Sequence, residues 1–267
     1  MATAVTPPKG PAAEDRITAL IERLTVPRVS NNRRSVMIAG MPGKGKTEAV
    51  LQAPGPIGCV YTDRNRDTLL KMMALRGDIT EIGIDSWSRD WKPFQSALDN
   101  RELPFESIVI DSLDELYGIG AEHIKAKAGG TMEFDQWEEL RVLGKNLTFS
   151  LTQATRPYKD RRAYNVLCTM HLQAMTGKKE ELLRYAPAMQ GSFRDKIEQY
   201  FDFVLLADSE TKMVDLPGGK KEKRKQYFLR TVEPSPFYTC KARSGWPSRV
   251  EDFNEVQALI NQELAKE

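Results

Sequence analysis

The feature that most constrains this chain of 267 residues is an eight-residue motif at positions 40–47, Gly-Met-Pro-Gly-Lys-Gly-Lys-Thr. It has the spacing G-x-x-x-x-G-K-[ST]; the apolar run 35–39 precedes it, and residues 47–52, which suit a helix, follow it. A strand, a glycine-rich loop and a helix in this order form the context that a phosphate-binding loop requires. The alternative is a chance glycine-rich turn before a helix.

Each part of the motif has a chemical role in the predicted site. Gly40, Gly43 and Gly45 are expected to adopt backbone conformations closed to other residues, so that successive N–H groups turn inward around a phosphate. Lys46 is expected to reach the β- and γ-phosphates, and the Thr47 hydroxyl to ligate Mg²⁺. The sequence thus predicts ATP and Mg²⁺ as cofactors. The remaining predicted nucleotide-binding residues lie within or beside the motif: Met41, Pro42, Lys44 and Glu48.

Composition and charge are ordinary for a globular protein. The chain is 40% hydrophobic and 28% charged, and its 39 basic and 37 acidic residues give a formal net charge of +2. A surface for a polyanion would therefore be local. No apolar run approaches the ~20 residues of a membrane helix, and no apolar signal region is present. The cysteines fall in predicted strands and suggest small buried side chains of a reducing compartment, which predicts a cytoplasmic protein with no membrane partner: Cys59, Cys168 and Cys240.

Strands and helices alternate along most of the chain. Apolar runs predict strands at 58–62, 79–84, 107–111, 165–170 and 203–207. Between them, helices are predicted at 67–75, 91–98 and 134–153. Because the strands are apolar without alternation, they indicate an α/β fold with a mostly parallel sheet covered on both faces. In the 134–153 helix, one broad apolar face is predicted from Phe134, Trp137, Leu140, Leu143 and Leu147.

The two ends of the chain have a different character. Residues 1–33 are predicted to form a flexible tail and a short helix, and residues 34–267 a single ATP-binding domain. Toward the C-terminus, short strand candidates predict an antiparallel extension of the sheet, at 212–216, 227–231 and 238–242. A helix from about residue 254 is expected to close the domain.

A second element of a nucleotide site is the buried strand that ends at Asp111. Such a carboxylate is expected to hold Mg²⁺ through water and to face Thr47 across adjacent strand ends. The alternative is a helix N-cap after a core strand.

These motifs resemble the RecA-like core of P-loop NTPases. The loop at 40–47, the segment 108–116 and the strand 166–171 are similar to a group of phage-encoded AAA-domain NTPases, which are associated with single-strand annealing and recombination. Weaker likenesses follow at 187–204 and 241–243. The resemblance implies an ATP-dependent phage protein in the host cytoplasm that binds single-stranded DNA and assembles as a ring or filament of identical subunits. A phage or host single-strand-binding protein is a further candidate partner.

The resemblance also assigns roles in hydrolysis. His171 occupies the position of a γ-phosphate sensor at the tip of its strand, with Gln173 as a second candidate. Lys241 and Arg243, on one face of a late strand, resemble the cations that RecA-like proteins insert into a neighbouring subunit's site. On the residues alone, a structural histidine and two solvated charges are the alternatives.

The chain departs from the RecA pattern after the second predicted strand, where residues 61–65 contain no glutamate to orient the attacking water. Asp63 is the nearest substitute. Asp114 and Glu115, which follow Asp111, are further alternatives.

In the RecA core, loops after the third and fourth chemistry-bearing strands line the DNA channel. The corresponding segments here are basic, with Tyr185 available to stack on a base, and the candidate DNA contacts are Lys125, Lys127, Lys178, Lys179 and Arg184. A third basic run occupies 220–225. Solvated surface loops are the alternative for each.

Two other function classes remain open from the sequence. A small-molecule or nucleotide kinase would use a basic lid such as Arg156, Lys159, Arg161 and Arg162. A non-catalytic module would use ATP only to order its subunits.

Overall fold

A computed structural model describes residues 33–62, 66–159, 161–176, 182–215, 221–232 and 240–265. The predictions for the N-terminal tail and helix, for Asp63, and for Lys178 and Lys179 lie outside these residues.

The described residues form one nine-stranded sheet, ordered β3-β2-β4-β5-β1-β7-β8-β9 with β6 paired to β5. The strands are β1 (Ser35–Gly40), β2 (Ile57–Tyr61), β3 (Ile79–Gly83), β4 (Ser107–Asp111), β5 (Asn165–Thr176), β6 (Leu182–Pro187), β7 (Phe203–Asp215), β8 (Lys221–Arg230) and β9 (Arg249–Val250). Neighbouring strands in the series β3, β2, β4, β5, β1 and β7 pair in parallel. β6, β8 and β9 pair antiparallel with their neighbours. This confirms the predicted α/β class and its antiparallel extension.

Helices cover both faces of the sheet. They are α1 (Lys46–Val50), α2 (Asp67–Arg76), α3 (Lys92–Asp99), α4 (Leu113–Lys127), α5 (Phe134–Gln153) and α6 (Phe253–Leu264), with a π-helical turn at Trp87–Trp91 before α3. Side chains alternate between the faces of a strand. Met37 and Ile110 accordingly join the core under α4 and α5, while Ile38 and Val109 join the core with α1 and α6. No helix in the described part of the chain combines the length and apolar character of a bilayer span.

The region 113–127, which the sequence analysis did not predict as a helix, forms α4. Leu113, Leu116, Tyr117 and Ile124 are buried along one side of α4, so tertiary packing fixes the helix despite two internal glycines. The prediction that Lys125 and Lys127 belong to a basic loop is therefore wrong. Lys125 and Lys127 lie in the last turn of α4, where cations complement the helix dipole.

Tertiary packing also changes two other predictions, one for the residues around Arg184 and one for the apolar face of α5. The strand predicted at 165–170 continues to Thr176 and pairs with β6, so Arg184 and Tyr185 lie in a strand rather than a loop. The apolar face of α5 is also narrower than predicted. Leu140 and Leu147 are buried, whereas Phe134 is 83% exposed and Trp137 is 42% exposed, because the first turn of α5 extends beyond the core and the buried residues begin at Leu140 and continue to Leu151.

The C-terminal third differs from the prediction in its strands. The candidates at 203–207 and 212–216 belong, as far as residue 215, to one continuous strand, β7, which pairs with β8 from Leu206 onward. Cys59 and Cys168 are buried in β2 and β5 as predicted, but Cys240 lies outside the strands and is partly exposed. In the predicted strand 238–242, the described residues form only an isolated bridge between Lys241 and Val204.

Candidate nucleotide-binding site

The loop between β1 and α1 has the backbone conformation that an anion cradle requires. Gly43 and Gly45 have φ values of +69° and +80°, in the left-handed region that glycine tolerates. Both conformational predictions are confirmed. The prediction for Gly40 is wrong, because its φ is not in that region. Its Cβ would lie 2.8 Å from the carbonyl oxygen of Ala207, so Gly40 allows β1 to pack closely against β7.

The two lysines of the loop point to different partners. Lys46 is 5% exposed, and its Nζ donates to the carbonyls of Gly40 at 3.0 Å and Met41 at 3.1 Å. An ammonium held at the base of the loop is within reach of a phosphate above it. The Nζ of Lys44 instead bonds Asp208 Oδ1 at 2.9 Å and Ser209 Oγ at 3.0 Å, on β7. Lys44 therefore anchors the loop to the sheet.

Asp208 is the centre of that anchor. It accepts from Lys44 on one oxygen and from Arg230 Nε, at 3.0 Å, on the other. Partial burial raises the pKa of Asp208, but hydrogen bonds from Lys44, the Ser209 N–H and Arg230 outweigh burial and hold this pKa below its usual value. The carboxylate is thus ionised at neutral pH and fixes the loop from below.

A cavity of about 330 Å³ lies over the loop. Residues 42–48 form one wall, and the others are Tyr61 at the end of β2, Thr68 in α2, His171 in β5 and Tyr227 in β8. Gly43 and Gly45 in left-handed backbone conformations and the buried ammonium of Lys46 suit a phosphate chain. The Thr47 hydroxyl suits a hard cation with oxygen ligands, such as Mg²⁺. The residues present are therefore suited to ATP and Mg²⁺.

The position of Asp111 differs from the prediction of adjacent strands. β5 lies between β1 and β4. Asp111 is 3% exposed, its Oδ1 accepts from the hydroxyl of Thr169 on that intervening strand, and it is outside the cavity wall described above. Two strand spacings separate the ends of β1 and β4 by about 9–10 Å. Asp111 and Thr47 therefore do not face each other across adjacent strands, and any contact of Asp111 with Mg²⁺ would pass through the waters that this ion usually retains.

His171 lies at the cavity, held by a buried carboxylate. Its N–H donates to Asp114 Oδ1 at 3.0 Å, and its ring Nδ1 is 3.1 Å from Asp114 Oδ2. His171 is not at the tip of β5; it is level with Gly40, where β5 leaves β1 and begins to pair with β6. Of the alternative carboxylates, Asp114 is engaged with His171. Glu115 is exposed and lines a separate cavity beside Trp87.

Lys241 and Arg243 lie away from the loop of their own chain. The Nζ of Lys241 donates to the carbonyls of Phe201 and, at 3.5 Å, of Gln199. These carbonyls precede β7, at the end of the sheet opposite the loop, since β1 and β7 run parallel. Both cations are exposed. The prediction of one face of a strand is wrong for this pair, because Lys241 forms only an isolated bridge.

The remaining basic candidates are dispersed. Lys125 has a long ion pair with Glu122 at 3.8 Å, and Arg184 pairs with Asp195. The arginines considered for a kinase lid, including Arg161, precede β5. They therefore lie at the N-terminal ends of the parallel strands, whereas the loop lies at the C-terminal ends. Arg161 pairs there with Glu102. A kinase lid formed by this cluster is therefore not positioned over the cavity.

Sequence reasoning missed the contribution of β8. Tyr227 lines the cavity, and its ring carbons would lie 3.1 Å from a Cβ at Gly45. Lys225 Nζ donates to the Gly43 carbonyl at 2.8 Å. The sequence signals were the basic run at 220–225 and a short strand candidate at 227–231, and neither indicated that this strand would fold over the loop.

The sheet order, the loop and the strand-end carboxylate together define a RecA-like P-loop NTPase. The sequence profile of an AAA-domain family matches residues 32–244, and the chain belongs to this AAA-domain family. No curated protein matches the chain significantly.

Two solved structures show distant likeness. The flagellar accessory protein FlaH from Methanocaldococcus jannaschii is 15% identical, with a TM-score of 0.36, over 84% of this chain and 96% of FlaH. A prototypical ATPase from the type III secretion system of pathogenic bacteria is 11% identical, with a TM-score of 0.40, over 66% of this chain. The chain spans 52% of that ATPase.

Proposed function

We propose that the protein is a magnesium-dependent ATPase that binds single-stranded DNA and supports annealing or recombination, as a phage protein in the host cytoplasm. The observation that carries the ATPase part is the loop geometry: Gly43 and Gly45 in left-handed conformations beside the buried ammonium of Lys46. A triphosphate fits this cradle because its charge meets fixed backbone donors and a cation already held in place.

Hydrolysis would proceed by in-line attack of water on the γ-phosphate. Lys46 would stabilise charge on the transferred group, and Thr47 and Asp111 would hold Mg²⁺, the latter through water. When bound, Mg²⁺ neutralises negative charge on the β- and γ-oxygens. His171, which lines the cavity and is held by Asp114, would contact the γ-phosphate or its attacking water.

The direct test is phosphate release from ATP by the full chain, with Mg²⁺ and with a chelator. We expect turnover that requires Mg²⁺ and falls by at least tenfold in Asp111→Asn, whose fold is checked by circular dichroism. Binding of ATP without turnover under all conditions would support the non-catalytic module instead. Phosphate transfer to a small acceptor would support a kinase.

The proposal for single-stranded DNA rests on the resemblance of the motifs and on exposed cations near the loop. On β8, Lys223 and Arg224 are exposed, and Lys225 contacts the loop itself. DNA held along this strand would therefore be close to the nucleotide. Solvent-exposed cations on a strand suit contact with a phosphate backbone of any sequence.

This part has its own experiment. ATP hydrolysis is measured with and without an oligonucleotide across a salt series, alongside the mass of the assembly. We expect DNA-stimulated phosphate release, affinity that falls steeply with salt, and a ring or filament of identical subunits. No DNA binding at low salt, with or without ATP, would overturn the DNA proposal and leave the ATPase in place.

A further inference from the structure

A second cavity continues from the phosphate loop along the outside of α1. This groove has a volume of about 310 Å³ and runs between α1 and β8. It shares four residues with the cavity over the loop: Lys44, Gly45, Glu48 and Tyr227. The two cavities therefore adjoin at these four residues, so the groove is the neighbouring space for the part of a ligand that lies beyond its phosphates.

Tyr227 stands where the two cavities join. Its ring lies against Gly45, where an added Cβ would be 3.1 Å from the ring carbons, and the residue is still 41% exposed. The ring is thus fixed on one side by the loop and accessible on another. Lys225 Nζ lies 5.1 Å from the ring centroid and increases the positive character of the loop end of the groove.

The chemistry of the groove differs from that of the loop. Apart from Tyr227 and the two lysines, its polar residues are carboxylates and amides: Glu48, which also borders the loop cavity, Gln52, Gln226, Glu251 and Asp252, of which Glu251 is paired with Arg249. Such a lining repels phosphates but accepts hydrogen bonds from ribose hydroxyls and from amino groups of a base. Carboxylates serve this purpose for ribose in other nucleotide sites. Charge therefore divides the combined site into a cationic phosphate end and an acceptor-rich nucleoside end.

Several of these polar groups are already fixed. Gln226 Nε2 donates to Glu251 at 2.6 Å, and Gln52 Oε1 accepts from the Phe253 N–H at 3.1 Å. The rim of the groove is therefore held by contacts between β8, the end of α1 and the start of α6. A preformed rim lowers the cost of ordering side chains when a ligand binds.

We propose that the groove between α1 and β8 is the nucleoside subsite and that Tyr227 stacks on the purine base. The inference rests on the proposed ATP-binding function and assigns the half of the nucleotide that the loop motif leaves undefined. An aromatic ring fixed at the mouth of an acceptor-lined groove has the geometry for stacking, which tolerates any base with a π-face.

The test compares ATP with inorganic tripolyphosphate, which carries the phosphates without the nucleoside. Calorimetric titration of the full chain, with Mg²⁺, is run on the wild type, Tyr227→Ala, Tyr227→Phe and Lys46→Ala. Tyr158→Ala is the matched control, because Tyr158 is 42% exposed and also has a lysine ammonium 5.1 Å from its ring, at a position outside both cavities. Thermal melts confirm that each variant is folded.

We expect Tyr227→Ala to weaken ATP binding roughly 5- to 150-fold, the range for loss of one stacked base. Binding of tripolyphosphate should change by less than about twofold, Tyr227→Phe should retain ATP affinity, and Tyr158→Ala should leave both ligands unaffected. Lys46→Ala should weaken both ligands together. This pattern would support the subsite.

Other outcomes distinguish the two proposals. Equal effects of Tyr227→Ala on both ligands, no effect on either, or wild-type binding of ATP no tighter than of tripolyphosphate would overturn the nucleoside subsite and leave the phosphate site in place. If the wild type binds neither ligand, or Lys46→Ala changes neither affinity, the proposed ATP-binding function is itself overturned.

Discussion

The carboxylate of Asp114 contacts His171 twice, accepting from its backbone N–H at 3.0 Å and meeting its ring Nδ1 at 3.1 Å. Asp114 is 8% exposed and belongs to the first turn of α4, whereas His171 belongs to β5 and lines the cavity over the loop. A buried carboxylate on Nδ1 fixes the ring's orientation and favours the tautomer with its proton on that nitrogen. The contact therefore links the helix after Asp111 to the cavity over the loop.

We predict that His171→Ala lowers the turnover number for ATP by tenfold or more and changes ATP affinity little, because in the proposed mechanism the ring acts on the γ-phosphate or its attacking water. Asp114→Asn should lower turnover less, since it leaves the ring in place but weakens its orientation. Gln173→Ala tests the second sensor candidate; this residue lies two positions along the same strand and is not among the residues that line the cavity, so we expect little loss of turnover. Equal losses in all three variants would contradict a specific role for the pair.

Lys46→Ala should weaken ATP binding by roughly tenfold to a hundredfold, the loss of about 1.5–3 kcal/mol from hydrogen bonds to a charged group. Lys44→Ala provides the comparison within the same loop. Its ammonium bonds Asp208 rather than facing the phosphates, so we expect a modest loss of stability and nearly unchanged ATP affinity. Titration with ATP and urea unfolding separate the two effects. A larger affinity loss in Lys44→Ala than in Lys46→Ala would reverse the assignment.

Gly40→Ala should lower the free energy of unfolding by about 1–3 kcal/mol, because its Cβ would lie 2.8 Å from a backbone oxygen of β7, which cannot move aside as a side chain can. Gly118→Ala should instead raise it by about 0.5–1 kcal/mol, as expected for alanine in a helix. In α4 an added Cβ at Gly118 would have no described atom within 4 Å. Urea unfolding measures both, and similar changes in the two variants would argue against close packing at Gly40.

The ion pair between Asp208 and Lys44 predicts a pH-dependent contribution to stability. Because the folded-state pKa of Asp208 is depressed, its contribution is fully present above the unfolded-state value of about 3.9 and is lost as the pH falls through the folded-state pKa. Since the pair is partly exposed, we expect a difference between wild type and Asp208→Asn of about 1 kcal/mol or less. Unfolding at a series of pH values should show that difference shrinking below pH 4; a difference that grew on acidification would contradict this sign.

The cations at the opposite end of the sheet give a final prediction. Lys241→Ala should lower the free energy of unfolding by about 0.5–1.5 kcal/mol, because its ammonium donates to the Phe201 carbonyl within the chain. Arg243→Ala should leave stability unchanged. If Arg243 acts in a neighbouring site, mixing Arg243→Ala with Lys46→Ala should restore part of the hydrolysis that each variant lacks alone. No recovery in an assembly shown to contain both subunits would exclude that role.

The sequence by itself determined the features that depend on local spacing. The loop at 40–47, the apolar strands on either side of it and the carboxylate ending β4 follow from residue types within a few positions of one another, and the structure has these elements where the patterns predict them. The alternation of strands and helices likewise predicted the mostly parallel sheet, because only a covered sheet accommodates strands that are apolar on both faces.

Tertiary structure alone decided which distant residues meet at the site. β5 separates β1 from β4, His171 meets a carboxylate 57 residues away, and Lys225 reaches the loop across 182 residues. Periodicity records which face of an element is buried, but it carries no information on the order in which strands pair. That order depends on packing across the whole sheet, and it brings Tyr227 against Gly45.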